Sequence, residues 1–223
     1  MADVDLTREG IGMTSQRTRN RLIKKLRDLG IKNEAVLSVL GSTPRHLFLE
    51  SALAHRAYED QSIPIGYGQT ISRPYTVARM TELLLGDRSK LDNVLEIGTG
   101  CGYQSAVLSP FVDQLFSVER IEALHVRARR QLQELGYQNI ELTLSDGSWG
   151  WAEKGPFDGI LAAASPAEVP QSLKDQLADG GRLILPVGQD TQVLTLVTRE
   201  GDEFHTEVVE EALFVPFLSG VQR

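Results

Sequence analysis

Apolar residues follow two alternating patterns along most of the chain. Short runs of apolar and β-branched residues predict strands, at residues 94–97, 114–119, 140–144, 157–162 and 181–187. Apolar residues spaced three or four apart predict helices that start near Ala106 or cover residues 121–135 and 169–177. Because strands alternate with helices, we predict an α/β fold with a doubly wound, mostly parallel sheet.

The two ends of the chain depart from this alternation. Apolar residues at helical spacing follow a cap at Thr14 or Ser15, and no strand alternation occurs before residue 57. Three strand-like segments with short connections close the chain, at residues 192–198, 204–209 and 212–217. Short connections join antiparallel strands, so we expect the sheet to finish in antiparallel pairs.

A glycine-dense loop, GTGCG at residues 98–102, lies between a predicted strand and a predicted helix. Glycine there permits positive φ angles and a close approach of the backbone to a ligand. We therefore predict a nucleotide-like cofactor, with an empty glycine-rich turn as the alternative. Tyr103 stands where the dinucleotide fingerprint has its last glycine, which disfavours a nicotinamide cofactor. Glu96 ends the strand and would favour a cationic group, such as the ammonium or sulfonium of S-adenosylmethionine.

Two further acids end the next two predicted strands. Glu119 lies 21 positions after Gly98, close to the spacing at which an acid meets a ribose in βαβ sites. Asp146 could accept a hydrogen bond from an adenine amino group. Ligands bind outside the carboxyl ends of strands in open α/β sheets, so these acids support an adenosyl cofactor. Trp149 and Trp151 could pack beside the adenine, or they could form an apolar cover over the sheet edge.

Composition excludes several classes of protein. The net charge of −7 disfavours a general nucleic-acid binder, and the basic cluster between Arg17 and Arg27 is explained as a solvated helix face. No apolar run is long enough for a membrane helix and the start is not a signal peptide, so we expect a cytoplasmic protein without membrane contact. Cys101, the one cysteine, is explained as a small loop residue. None of the four histidines has metal-ligand spacing, so we expect no metal site.

Three blocks of sequence resemble the protein-L-isoaspartate O-methyltransferase family of class I S-adenosylmethionine-dependent methyltransferases. LEIGTGCGY at residues 95–103 resembles the general cofactor loop, and PIGYGQTISRP at residues 64–74 resembles the block peculiar to this family. PVG at residues 186–188, with Gln192 and FVPF at residues 214–217, is similar to its C-terminal pattern. The resemblance implies a Rossmann-like, mostly parallel seven-stranded sheet with an N-terminal helical cover and antiparallel C-terminal strands.

The length of 223 residues suits one domain over residues 1–223, with room for a small appendage. Within it we predict four parts: a loose tail at 1–13, a helical cover at 14–57, an active-site loop at 58–73 and a cofactor-binding α/β core at 74–223.

The family reaction implies a role for particular residues. Methyl is transferred from S-adenosyl-L-methionine to the free α-carboxylate of L-isoaspartyl residues in damaged proteins, which then return partly to aspartate through a succinimide. The resemblance implies that Ser72 is the active-site serine, although serine before the helix at 74–85 could also be only a cap. It implies that the remaining site residues contact the cofactor: Thr70, Ile71, Glu96, Gly98, Thr99, Gly100, Gly102, Glu119, Arg120, Asp146, Gly147 and Gln192.

Other functions stay open at this point. An NAD-dependent oxidoreductase and a nucleic-acid-binding module are the rivals from other classes. A methyltransferase acting on a small molecule or an RNA base would share the glycine loop, but it gives no reason for residues 66–72. We expect isoaspartyl proteins and peptides as partners, S-adenosyl-L-homocysteine as the product, no nucleic acid and a monomer.

Overall fold

The computed structural model describes residues 10–223, and the chain divides into two units, the first ending at Glu82 and the second covering Leu83–Arg223. Six α-helices occur among the described residues: α1 (Gln16–Asp28), α2 (Glu34–Ser42), α3 (Pro74–Leu85), α4 (Tyr103–Leu108), α5 (Glu122–Glu134) and α6 (Gln171–Lys174). Short 3₁₀ turns lie at Gly12–Thr14, Arg45–Phe48, Ala54–Arg56, Ser109–Phe111, Gly147–Trp149 and Ala152–Lys154. None of the described helices is long and apolar enough to cross a membrane.

Within residues 10–223, nine strands form two sheets. A small sheet contains β1 (Ile63–Gly66) and β2 (Gln69–Ile71), and a large one contains β3 (Leu91–Ile97), β4 (Val112–Glu119), β5 (Ile140–Leu144), β6 (Phe157–Ala162), β7 (Leu177–Val187), β8 (Gln192–Glu200) and β9 (Glu203–Ala212). The large sheet has the order β5-β4-β3-β6-β7-β8-β9. In this order, the five strands from β5 to β7 pair in parallel. Strand β8 pairs antiparallel with β7, and β9 pairs antiparallel with β8. The predicted doubly wound, mostly parallel seven-stranded sheet with antiparallel C-terminal strands is confirmed.

The core of the second unit lies on the central strands. Leu95, Phe116, Ile160 and Leu183 belong to one buried cluster, to which each of the four central strands contributes. Strand β3 is buried on both faces from Val94 onward, as expected for a sheet covered by helices on both sides. This core fixes the carboxyl ends of the strands, where the predicted site residues lie.

The first unit contains the helices predicted there. Ser15 precedes α1, and the Asn33 side chain caps α2 by accepting bonds from the Ala35 and Val36 N–H groups. Of the predicted tail, residues 1–9 lie outside the described residues, whereas Gly12–Thr14 form a 3₁₀ turn. The proposal that residues 14–57 cover the cofactor domain stays a prediction, as does the single domain.

The segment at 58–73 is not simply the loop that we predicted. Strands β1 and β2 form an antiparallel hairpin there, with Ile63 opposite Ile71 and a register shift after Pro64. Tyr67 and Gly68 both have positive φ at the turn. Alternation of buried and exposed residues covers only four positions of β1, so its pattern was too short to outweigh the prolines and glycines.

Two other predictions need correction. The predicted helix at 169–177 is only the single turn α6, because Leu177 instead pairs with Phe157 and begins β7. The predicted strand at 212–217 is not a sheet strand. Residues 213–223, which we call the strap, run beyond β9 and make isolated bridges, Pro216 with Ser165 and Gln222 with Ile121.

Candidate active site

The glycine loop between β3 and α4 requires its glycines. Gly98, Gly100 and Gly102 have φ angles of +92°, +56° and +87°, a region that side chains with a Cβ rarely adopt. A Cβ on Gly102 would also lie 3.2 Å from the Leu132 side chain. The loop thus keeps side chains away from the surface of its turn, as the cofactor prediction requires.

Glu119, at the end of β4, is bound directly to this loop. One carboxylate oxygen accepts the Gly100 N–H at 2.8 Å and the other accepts the Ile121 N–H at 2.9 Å. The side chain is buried, at 4% exposure, so it is held in one place. Each carboxylate oxygen has a further lone pair, so Glu119 can accept two hydroxyl groups without losing either bond. We call the three loop glycines and Glu119 the cradle.

Glu96 lies at the end of β3, completely buried. Its Oε2 accepts bonds from the hydroxyls of Ser105 and Ser117, and the Ser117 hydroxyl also lies 2.6 Å from that of Thr99. Its Oε1 has no partner among the described residues. Burial raises the pKa of Glu96 to about 7, while the two serine bonds oppose this shift. Glu96 therefore connects β3, β4 and α4 through hydrogen bonds. Near neutral pH its carboxyl group is only partly ionised.

Asp146, after β5, is also occupied by the protein itself. Its Oδ1 accepts the Ser148 N–H at 2.8 Å and its Oδ2 accepts the Gly220 N–H of the strap at 2.6 Å. Burial opposes ionisation, but these backbone bonds and nearby Arg120 outweigh it and lower the pKa of Asp146. Asp146 is thus an ionised acceptor, consistent with the predicted acceptor role.

The strap crosses the carboxyl edge of the sheet. It bonds in both directions to Ser165, which follows β6, through the Val215 carbonyl and the Phe217 N–H. Further along, the Gly220 carbonyl accepts from Arg120 Nε at 2.9 Å. The Gln222 N–H then donates to the Arg120 carbonyl at 2.8 Å. The strap consequently contacts the residues that follow β4, β5 and β6.

The first unit holds the predicted catalytic residue. Ser72 follows β2 and is separated from the start of α3 at Pro74 by Arg73. The N–H of Tyr75, in the first turn of α3, is bonded at 2.9 Å by the Asp60 carboxylate. The Ser72 hydroxyl has no hydrogen bond within the described part of this unit, and the residue is partly exposed. Ser72 therefore does not cap α3, which was the alternative explanation of its position.

Comparison with known proteins decides the family. Residues 16–222 match the family model described as Protein-L-isoaspartate(D-aspartate) O-methyltransferase. The chain belongs to this family. A protein named Protein-L-isoaspartate O-methyltransferase from Alcanivorax borkumensis is 56% identical over 221 residues, covering 99% of this chain and 100% of that protein.

Solved structures agree with this assignment. One named protein-L-isoaspartate O-methyltransferase has a TM-score of 0.79 at 28% identity, over 89% of this chain and 65% of that chain. A Plasmodium falciparum protein described as a beta-aspartate methyltransferase, solved with S-adenosyl-L-homocysteine, shares the fold, with a TM-score of 0.74 at 23% identity over 89% of this chain and 97% of its own. The resemblance to protein-L-isoaspartate O-methyltransferases and the class I methyltransferase fold are therefore confirmed.

The structure separates the predicted cofactor residues of this family member into groups. Gly98, Gly100, Gly102 and Glu119 come together in the cradle, and Thr99 bonds to Ser117 beside Glu96. Thr70 and Ile71 belong to the hairpin in the first unit, where Thr70 is exposed and Ile71 is buried. Their contacts with a cofactor stay predictions.

Three other predicted residues have structural roles that the sequence did not reveal. Gln192 exchanges two hydrogen bonds with the backbone of Phe214, donating at 3.1 Å and accepting at 2.7 Å. Arg120 binds the strap, and Gly147 has no room for a Cβ, which would lie 2.4 Å from Ile97 Cγ2. Whether Gln192, Arg120 and Gly147 also contact the cofactor stays a prediction.

The two tryptophans differ. Trp151 packs edge-on against Phe116, with ring centroids 5.7 Å apart, and so covers the core. Trp149 is 70% exposed, next to Asp146. The covering role considered for both residues therefore applies to Trp151.

Proposed function

We propose that this chain transfers the methyl group of S-adenosyl-L-methionine to the free α-carboxylate of L-isoaspartyl residues in damaged proteins and peptides, which starts their repair. The observation that carries the proposal is the family match over residues 16–222. The cradle and the unoccupied Ser72 hydroxyl support it from the geometry. Bound S-adenosyl-L-methionine would supply the chemistry of an electrophilic methyl group on a positively charged sulfur.

The second unit offers groups that fit the adenosyl part of this donor. We assign the two ribose hydroxyls to the Glu119 carboxylate, whose oxygens are fixed by the Gly100 and Ile121 N–H groups. A carboxylate there would repel a 2′-phosphate, so the proposed site takes an unmodified ribose. We assign the adenine to the segment at Asp146 and Gly147, which the strap contacts.

Ser72 is assigned to the acceptor. The α-carboxylate of an isoaspartyl residue has a pKa near 3.9, so at neutral pH the ionised form outnumbers the protonated form by about a thousand to one. No general base is therefore needed. Ser72 would donate its O–H to one carboxylate oxygen and orient the other toward the methyl group. One O–CH₃ bond forms and one S–CH₃ bond breaks, and the electron pair of the broken bond stays on sulfur, giving S-adenosyl-L-homocysteine.

Orientation and exclusion of water are the remaining requirements. Holding the reacting atoms in line can lower the barrier by about 7–11 kcal/mol through entropy lost on binding rather than in the reaction. Water around the carboxylate would weaken it as a nucleophile, so a closed site is expected during transfer. The cytoplasmic location, the monomeric state and the lack of nucleic-acid partners stay predictions.

Labelled methyl transfer tests the proposal directly. The enzyme is incubated with S-adenosyl-L-methionine labelled in the methyl group and one of two peptides that differ only in isoaspartate against aspartate at one position. We expect base-labile label in the isoaspartyl peptide and background in the aspartyl peptide. Equal labelling of both peptides, or of neither, would contradict the proposed substrate.

A further inference from the structure

A groove lies on the first unit, outside every residue assigned above. It has a volume of about 360 Å³, within the range of ligand-binding clefts. Helix α1 forms one wall with Thr18, Arg21 and Lys25, and the segment that leads to β1 forms the other with Tyr58 and Asp60. The buried side chain of Leu22 also lines it.

The groove is held rigidly on the side of Tyr58. The Tyr58 hydroxyl lies 2.9 Å from Nδ1 of His46, and both side chains are buried. The guanidinium of Arg19 lies 5.4 Å from the centre of the Tyr58 ring. A wall fixed in this way can bind a partner with little loss of its own conformational freedom.

The acidic side chains of the groove already have partners. Glu59 forms an ion pair with Arg56 at 3.2 Å, and Asp60 accepts the Tyr75 N–H. On the opposite wall, Arg21 and Lys25 are exposed and form no ion pair within residues 10–223. They are four residues apart on α1 and so lie on the same face of the helix. Arg56 compensates the charge of Glu59, whereas the neutral Tyr75 N–H leaves the charge of Asp60 in place. Arg21 and Lys25 together outweigh Asp60, so the groove keeps a net positive charge.

Two other exposed cations on the same helix are paired, whereas Arg17 is exposed and forms no ion pair within residues 10–223. Lys24 binds Asp28 at 2.6 Å, and Arg27 binds Glu34 at 2.8 Å. Neither Lys24 nor Arg27 lines the groove. Arg17 is four residues before Arg21 and does not line the groove, so the unpaired cations Arg17, Arg21 and Lys25 follow one face of α1 and the last two line the groove. This charge gives the groove a chemical preference for an anionic partner.

The groove lies within a few residues of Ser72. Asp60 lines the groove and bonds to the N–H of Tyr75, three positions after Ser72. Three residues span at most about 10 Å. A polypeptide bound at Ser72 therefore reaches the Asp60 side of the groove within a few extended residues.

We propose that this groove binds the polypeptide flank of the substrate and favours an acidic side chain about three or four residues from the isoaspartate. The proposal rests on the proposed function, since it extends the substrate that Ser72 would hold. Leu22 and Tyr58 give the groove an apolar part, which suits a peptide with apolar side chains between its charges better than a phosphate backbone with a charge at every nucleotide.

Matched peptides and charge-reversed variants test the groove. Each isoaspartyl peptide carries Glu or Lys at the third and fourth positions before or after the isoaspartate. The test variant is Arg21→Glu with Lys25→Glu, and the control is Lys24→Glu with Arg27→Glu, which changes the charge of α1 equally outside the groove. Arg21→Gln with Lys25→Gln serves as a milder variant, with circular dichroism to verify folding.

We expect the wild type to bind the acid-flanked peptide about fivefold more tightly than the base-flanked one, the size of one or two exposed ion pairs. The test variant should reverse this preference through the KM for peptide, with the KM for S-adenosyl-L-methionine and kcat unchanged. The control should behave as the wild type. No flank preference in the wild type, or equal changes in test variant and control, would overturn the proposal.

Fluorescence anisotropy of labelled peptides, without a methyl donor, measures peptide binding separately from methyl transfer. A flank preference in binding without any methylation would contradict the proposed function and leave the groove supported. Methylation without a flank preference would overturn the groove alone. An RNA oligonucleotide that binds the wild type and loses binding only in the groove variant, with no peptide preference, would identify a nucleic-acid site and overturn the peptide proposal.

Discussion

The cradle in the second unit and the Ser72 segment in the first differ in how much of their polar chemistry is already used. Both oxygens of Glu119 bind backbone N–H groups. The Ser72 hydroxyl has no such partner within its own described unit, since Asp60 binds the first turn of α3 in its place. A group fixed by the protein suits a cofactor that is always the same, and a free hydroxyl suits a substrate supplied by many proteins.

The largest effect should come from removing the fixed acid of the cradle. We expect Glu119→Ala to weaken binding of S-adenosyl-L-homocysteine about a thousandfold, or about 4 kcal/mol, because two charged hydrogen bonds to the ribose would be lost. Isothermal titration calorimetry measures this. Glu122→Ala removes a neighbouring acid in the first turn of α5 and should bind normally. Normal binding by Glu119→Ala would place the cofactor elsewhere.

The buried acid behind the cradle should make stability depend on pH. Glu96 has a pKa raised to about 7 in the folded chain, whereas an unfolded glutamate titrates near 4.3. Between these values the folded state holds a proton that the unfolded state lacks, so its contribution to stability is lost as pH rises. The free energy of unfolding should fall by about 3 kcal/mol between pH 4.5 and 8 from this group.

Glu96→Gln isolates that contribution because the amide does not titrate. Urea unfolding of the wild type and the variant across this range should show their stability difference shifting by about 3 kcal/mol in favour of Glu96→Gln as pH rises. Glu122→Gln is the control and should follow the wild type in parallel. A difference that stays constant with pH would show that Glu96 is ionised throughout.

A smaller effect should come from the strap. Gly220 has φ +79° and open space around it, so Gly220→Ala strains the backbone by about 1 kcal/mol without a clash. If the strap orients Asp146 and Arg120 toward adenosine, affinity for S-adenosyl-L-homocysteine should fall about fivefold. Gly201→Ala is the matched control, since Gly201 also has positive φ and open space, in the turn after β8. Equal affinities for the two variants would exclude this role.

Some parts of the structure could be predicted from the sequence because their signals are local. The strands at 140–144 and 157–162 and the helix at 74–85 match the structure at both ends, because apolar runs and their glycine and proline borders are local signals. The glycine loop and its acid Glu119 were also found by spacing. The family-specific block at 64–74 was recognised, but its hairpin was not, because a four-residue alternation is too short to read.

Contacts between residues that are far apart in the sequence could not be predicted from it. The bond between Gly220 and Asp146 spans 74 positions, and no local pattern relates the two. Asp60 caps α3 from 15 positions away, so a serine near the helix start was the only cap that the sequence suggested. The sequence also did not show that the Ser105 and Ser117 hydroxyls bind one oxygen of Glu96. Whether its other oxygen faces a cationic group stays a prediction.

The central claim is that Ser72 orients the substrate and neither caps a helix nor binds the cofactor. Steady-state kinetics of Ser72→Ala on an isoaspartyl peptide tests it, together with calorimetry for S-adenosyl-L-homocysteine and with Ser42→Ala as the control. We predict that kcat/KM for Ser72→Ala falls about thirtyfold, the size of one hydrogen bond to a charged group, while stability and cofactor affinity stay unchanged. Unchanged kcat/KM, or a fall matched by lost cofactor binding, would contradict the account.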